Sequence, residues 1–273
     1  MPRTAMLDRT VLIIDRTVQR FRQTFSLGRT GLVAVSGALV LAATALLGLS
    51  ELTDSVTESD GLTASDPASL QFFVRHRSPI LVDGARIVTD LGGRTILISV
   101  ALAAAVALWL RRAQLGLAIA PAFSLILASA LSTTLKYATG RVRPPQQLRI
   151  VTATQPSFPS GHASSSTALY LTLGLVIPLV IEPKRIGRIA GAATGVLLAG
   201  LVGLSRLILG VHWLTDVLAG WALGVAIALF VVTGATLVVR LPCHQDQAPS
   251  GPSGWRPGIR LLATRRSDEA QST

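Results

Sequence analysis

The sequence predicts an all-α protein: a bundle of six membrane-spanning helices. Three observations carry this expectation. Half of the 273 residues are hydrophobic and only 14% are charged, whereas a soluble domain carries roughly a quarter charged residues. Six apolar runs recur along the chain, and about 20 such residues cross the hydrocarbon of a bilayer as a helix. The basic residues collect on alternate connections between these runs, the asymmetry that orients membrane proteins. A disordered chain is excluded by this composition, and an ordinary soluble globule is disfavoured.

The first 28 residues precede the apolar runs. Leu7, Val11, Ile14, Val18, Phe21 and Phe25 recur at spacings of four and three, with Arg9, Arg16, Arg20 and Arg22 off that stripe. The pattern fits a basic amphipathic helix lying on the cytoplasmic leaflet. A helix packed on the domain or on another subunit is the alternative. Asp8 and Asp15 interrupt the segment, so it is not read as a cleavable signal peptide.

The six spans are placed at residues 31–50, about 95–110, about 113–135, from His162 to residue 181, about 189–204, and 214–239 with Asp216 near its start. Residues 51–93 form a long connection, acidic in its first half and amphipathic in its second. It is read either as short helices on the membrane surface flanking substrate access or as a plain connector. Residues 29–240 are therefore expected to form one domain, and residues 241–273, rich in Pro, Gly, Ser and Arg, a disordered basic cytoplasmic tail. With both termini inside, sixteen of the 25 Lys and Arg residues lie on the cytoplasmic side. This orientation satisfies the positive-inside rule and implies a multi-pass protein of the cell membrane. Of the nine cations left outside, five crowd the connections after spans three and five: Lys136, Arg141, Arg143, Arg149 and Arg206.

Spans five and six carry small residues every fourth position: Gly187, Gly191, Gly195, Ala199 and Gly203, then Gly220, Gly224 and Ala228. Such stripes let helix backbones approach closely. Packing inside the bundle, holding the ends of spans five and six together, is favoured over a homodimer interface, which stays possible. Cys243 stands alone, so neither a disulfide nor a cysteine metal cage is expected.

Three polar clusters fall on the outer side, where ionisable residues at a bundle edge are costly and usually functional. The first is Lys136 and Arg143, followed by Pro144 and Pro145. If the helix of span three continues, seven residues are about two turns, and both cations share a face. Lys as a point charge and Arg as a bidentate fork can hold a phosphate; snorkelling to lipid headgroups is the other reading. The second cluster is Pro159-Ser160-Gly161-His162, at the start of span four. Backbone N–H groups at a helix start bind anions, Gly161 permits close approach, and His162 can carry a proton near neutrality; a structural histidine is the other reading. The third is Ser205-Arg206, then His212 and Asp216. At i and i+4 the last two face one another, so the carboxylate can orient the imidazole and stabilise its cation; a structural pair is the alternative. Together the clusters suit phosphoryl transfer, which relies on positioning and charge stabilisation. The sequence shows neither a carboxylate cluster for Mg²⁺ nor a Cys/His set for zinc, so no metal or other cofactor is expected. The arginines follow topology without interleaved aromatics, which excludes a nucleic-acid partner.

The pattern Lys136, six residues, Arg143-Pro144; Pro159-Ser160-Gly161-His162; Ser205-Arg206, five residues, His212, three residues, Asp216 resembles the type 2 phosphatidic acid phosphatase (PAP2) superfamily, with all three motifs matching. The resemblance implies a helical bundle of the PAP2, acid phosphatase and haloperoxidase type, without metal. It implies His212 as the nucleophile that forms a phosphohistidine, Asp216 as its orienter, and His162 as the acid for the leaving group. Lys136, Arg143, Ser160, Gly161 and Arg206 would bind the phosphate. The implied activity is hydrolysis of lipid phosphates or diphosphates at the extracytoplasmic face, with polyprenyl diphosphates or phosphatidic acid-type lipids as leading substrates. A phosphotransferase using the same site and a non-enzymatic lipid transporter are the alternatives.

Overall fold

The computed structural model describes residues 28–239 apart from 112, 182 and 183. The amphipathic stripe of residues 1–27, Cys243 and the basic tail lie outside the described residues. All regular structure among them is helical: α1 (Arg29–Glu58), a 3-10 turn (Gly61–Ser65), α2 (Asp66–Arg75), α3 (Pro79–Asp90), α4 (Arg94–Leu110), α5 (Leu115–Thr139), a 3-10 turn (Gln146–Leu148), α6 (Gly161–Val180), α7 (Arg185–Ile208) and α8 (Leu214–Val239). Five helices, α1, α5, α6, α7 and α8, are long and apolar enough to cross a membrane. The pair α3–α4, bent by 47°, passes the same test only when taken together, and makes a sixth if the two are one span.

Helix α1 runs on past the end expected near residue 50 and stops only at Glu58, where Ser59 turns left-handed. Nothing in Glu51–Glu58 breaks a helix, and the Thr53 and Thr57 hydroxyls bond back to carbonyls of the preceding turn. The connection that follows is made of short helices. Ser78 caps α3 by accepting from the Leu81 N–H at 3.3 Å. The chain then bends at Leu91–Gly93 before α4, a helix of 17 residues.

Helix α6 is the centre of the bundle. Thirteen of its twenty residues are buried, among them Ser164, Ser165, Ser166, Thr167 and Thr172. A helix with so many hydroxyls is poorly suited to face lipid, and α5, α7 and α8 enclose it. Close approach is achieved with glycine. A Cβ placed at Gly195 of α7 would lie 2.6 Å from the Tyr170 carbonyl oxygen, and one at Gly224 of α8 would lie 2.7 Å from that of Ser164. The small-residue stripes thus pack inside the bundle. They do not chiefly join α7 to α8 as expected: each clasps α6, and the link between α7 and α8 is made where Trp221 covers Gly203 and donates to the Ala199 carbonyl at 3.1 Å. The reason is steric, because only a helix flanked on both sides can bury its polar faces.

One consequence is testable at Gly220, where a Cβ would meet Ala163 Cβ at 2.7 Å and the Ser160 carbonyl at 2.8 Å. Gly220→Ala is expected to lower stability by about 1–3 kcal/mol in detergent-micelle thermal unfolding, the usual cost of overpacking. Gly234→Ala on the same helix, where a Cβ meets nothing within 4 Å, is the control and is expected to be neutral or slightly stabilising.

Candidate active site

Three chain segments converge at one end of the bundle: the C-terminus of α5 with the loop after it, the N-terminus of α6, and the N-terminus of α8. Helix α5 ends at Thr139 because Gly140 adopts a left-handed conformation (φ 58°) and donates its N–H to the Lys136 carbonyl at 3.0 Å. Arg143 therefore lies on an irregular loop. The continued helix that would have placed Lys136 and Arg143 on one face does not form, because glycine stops it before the two prolines can. The two cations come together by the loop folding back, with the Ser157 N–H donating to the Arg141 carbonyl at 2.8 Å.

Lys136 secures that return. Its Nζ donates to the carbonyls of Pro156 (2.9 Å), Ser157 (3.2 Å) and Pro159 (2.7 Å), which uses all three ammonium protons. The loop then delivers Ser160 as the N-cap of α6, with its Oγ accepting from the Ala163 N–H at 3.5 Å. The Ser160 N–H donates to the backbone carbonyl of Asp216 at 2.9 Å, tying the start of α6 to the start of α8.

Asp216 and His212 form the centre. Asp216 is fully buried. Its Oδ2 accepts from His212 Nδ1 (3.1 Å) and from the Trp213 N–H (2.9 Å). The second bond is half of a capping box, an acidic third residue reaching back to the cap. Its Oδ1 accepts from Arg141 Nη1 at 2.6 Å. Arg143 Nη1 lies 3.1 Å from His212 Nε2. A guanidinium only donates, so Nε2 is the acceptor and Nδ1 carries the proton. Arg143 also donates to Gln155 O (2.6 Å) and Val211 O (2.7 Å). Burial, and then the charges of Arg143, Arg206 and Lys136, hold His212 well below the ordinary histidine range, so its neutral form is favoured. Burial likewise lowers Arg143, opposed by the charge of Asp216.

Arg206 reaches the same place from the last turn of α7. Its Nη1 donates to Thr89 Oγ1 at 2.5 Å, and its Nε is buried without a hydrogen-bond partner. His162 lines a cavity of about 470 Å³ with Lys136, Gly161, Gln155, Ser132 and the apolar Leu97, Ile98, Leu125 and Ile126. A Cβ at Gly92 would sit 3.1 Å from His162 Cδ2, so the bend between α3 and α4 leaves the imidazole its space. Ser132 Oγ, on the cavity wall, is buried and unpaired.

Residues 117–238 match the PAP2 superfamily. The chain is 35% identical over 138 residues to decaprenylphosphoryl-5-phosphoribose phosphatase of Mycobacterium tuberculosis, across 48% of this chain and 67% of that protein. The chain belongs to the PAP2 superfamily. It is also 37% identical over 106 residues to undecaprenyl-diphosphatase of Sulfolobus acidocaldarius, which covers 37% of this chain and 47% of that protein. The chain thus spans between about half and two thirds of the length of these relatives. A solved transmembrane PAP2 type phosphatidylglycerolphosphate phosphatase from Bacillus subtilis superposes with a TM-score of 0.65 at 25% identity, over 71% of this chain and 94% of that one.

All eight site residues singled out in the sequence lie inside the PAP2 match and meet at this end of the bundle. Others around them were not among the expected site residues. Arg141 bridges Asp216 to Asp66, its Nη2 donating to Asp66 Oδ2 at 2.6 Å, and it lies over the Trp213 ring at 5.8 Å. Asp66 accepts from the Thr215 N–H (3.0 Å) and hydroxyl (2.6 Å). Thr89 and Gly92 come from the α3–α4 bend. The doubled arginine of Arg141-Val142-Arg143 was the available signal for Arg141. Asp66, 75 residues from Arg141 in the chain, had none.

The lowered His212 basicity has a stability signature. The unfolded chain takes up a proton at this residue as pH falls through about 6.5, before the folded protein does, so stability falls with it. The advantage of wild type over His212→Gln in thermal unfolding is expected to be full above that pH and to shrink by about 1–2 kcal/mol between pH 7 and 5. A constant gap contradicts the depressed basicity.

Proposed function

We propose that this chain is a metal-independent membrane phosphatase that hydrolyses lipid phosphates or diphosphates through a phosphohistidine on His212. The observation that carries the reading is the His212 geometry: Nδ1 held by Asp216, and an unprotonated Nε2 set among Lys136, Arg143 and Arg206. A neutral imidazole with an unprotonated Nε2, backed by a carboxylate, is a nucleophile once Arg143 releases that nitrogen. The cations offset the charge of a phosphoryl group, which is most of what such a transfer requires.

In the first step Nε2 attacks the terminal phosphorus, its bond to the leaving oxygen breaks (the lipid oxygen of a monophosphate, the bridging oxygen of a diphosphate), and that oxygen takes a proton from His162. Arg143 leaves Nε2 for a phosphoryl oxygen, Arg206 offers its unpaired Nε, and Ser160 with the Gly161 backbone supplies the start of α6. In the second step water attacks phosphorus, gives a proton to His162, and the P–N bond breaks to release phosphate and restore His212. Lys136 contributes its charge while fixing the loop that carries Ser160.

Two of the relatives named above carry polyprenyl substrates in their names and the third a phosphatidylglycerolphosphate, which favours polyprenyl phosphates and diphosphates, ahead of glycerolipid phosphates, among the substrates. The wall of Leu97, Ile98, Leu125 and Ile126 beside His162 suits an apolar chain. The arginine distribution supports cytoplasmic termini, an outward-facing site and residence in the cell membrane.

Purified protein in detergent with EDTA is expected to release inorganic phosphate from a polyprenyl diphosphate or from phosphatidic acid, and vanadate is expected to inhibit it. His212→Ala is expected to lose at least about 10³-fold in kcat; retention of full activity would exclude His212 as nucleophile. Because one histidine must be neutral and the other protonated, a bell-shaped rate profile is expected between about pH 5 and 9, and a flat one contradicts the pair.

A further inference from the structure

The Asp66–Arg141 pair is the buried charge cluster that the mechanism above does not use. Asp66 is 2% exposed and Asp216 is fully buried, and Arg141 joins them with two 2.6 Å bonds. Asp66 arrives on α2, outside the segment that matches the PAP2 superfamily. It begins α2 and also accepts from Thr215 in the first turn of α8, so it sits where two helix starts favour an anion.

The charges around His212 can be counted by element. Helix α5 brings Lys136, the loop after it Arg141 and Arg143 with Arg149 farther out on the Pro144 and Ala153 carbonyls, α6 His162, α7 Arg206, α8 Asp216, and α2 Asp66. Arg141 alone would cancel Asp216. With Asp66 present, the Asp216–Arg141–Asp66 chain keeps one net negative charge behind the imidazole. Set against Lys136, Arg143 and Arg206, it leaves a charge of +2, which matches a phosphate dianion.

We propose that Asp66 is a positioning residue for the nucleophile: through Arg141 it preserves the net negative charge that lets Asp216 stabilise a cationic His212. The inference rests on the phosphatase reading for its kinetic part. Without Asp66 the imidazolium character that develops on phosphorylation is less supported, and the site binds a free phosphate anion more tightly than its turnover requires.

The test uses the full chain in detergent, with kcat, KM, the inhibition constant of inorganic phosphate and a ¹⁵N-histidine NMR titration of His212. Asp66→Asn keeps the shape and one of the two oxygens that accept from Thr215. It is expected to lower kcat roughly tenfold, to tighten phosphate inhibition, and to move the His212 titration to lower pH. Arg141→Gln is expected to move that titration to higher pH. The double variant Asp66→Asn/Arg141→Gln restores the net charge and is expected to recover most of the lost kcat. A helix-capping role for Asp66 predicts no such recovery, so a double variant no better than Asp66→Asn overturns the proposal. Wild-type kcat with an unmoved titration in Asp66→Asn overturns it as well. If the wild-type protein turns over no lipid phosphate, the phosphatase reading fails, while the His212 titrations of the variants still decide the role of Asp66. If Asp66→Asn does not fold, Arg141→Gln alone decides it by the direction of the shift.

Discussion

A carboxylate with no exposure to water governs the architecture of this site. Burying an ionised group is tolerated only when its oxygens are satisfied and its charge is compensated. Asp216 receives hydrogen bonds from His212, the Trp213 N–H and Arg141. Those donors belong to the start of α8 and to the loop after α5. Meeting the needs of one carboxylate therefore fixes where that loop returns, where α6 begins and how the imidazole is turned. The N-terminus of α8 adds a favourable field for the negative charge.

The rest of the bundle serves to hold this junction still. Helix α6 is polar along much of its length and survives only because α5, α7 and α8 surround it, with glycines allowing near contact of the backbones. One flank is built differently. Between α4, α5 and α6 a cavity reaches from Lys136 and His162 to apolar side chains, and the bend at Leu91–Gly93 sets its upper edge. Rigid packing lies behind the imidazole of His212, and open space lies in front of His162.

Much of this was legible in the sequence, because long apolar runs and fixed motif spacings are local signals. The positions of α6 and α8 were read almost to the residue, since a small-residue or capping signal stands at each start. The misreadings have physical causes. The spacing of Lys136 and Arg143 suits a continued helix, but Gly140, free to turn left-handed, stops α5 sooner. The connection over residues 51–93 could be read as short surface helices or as a plain connector, and neither reading singles out a residue. Asp66 is one of seven acidic residues there, and only the tertiary fold distinguishes the one that is buried. Lys136 stood out in a chain of 23 arginines and two lysines, and the structure gives a geometric reason: a compact ammonium places three protons on three carbonyls of one tight loop, which a planar guanidinium does less well.

The bond from Arg143 to His212 Nε2 implies that the resting protein keeps the proposed attacking nitrogen latched. An imidazole nitrogen is a weaker acceptor than an anionic oxygen, so the guanidinium releases it only to a ligand bearing such oxygens. Neutral electrophiles of the right size lack the means to open the latch. In the proposed reaction, discrimination thus begins with charge, before the fit of any hydrocarbon chain, and the phosphate to be removed is also what unmasks the group that would remove it.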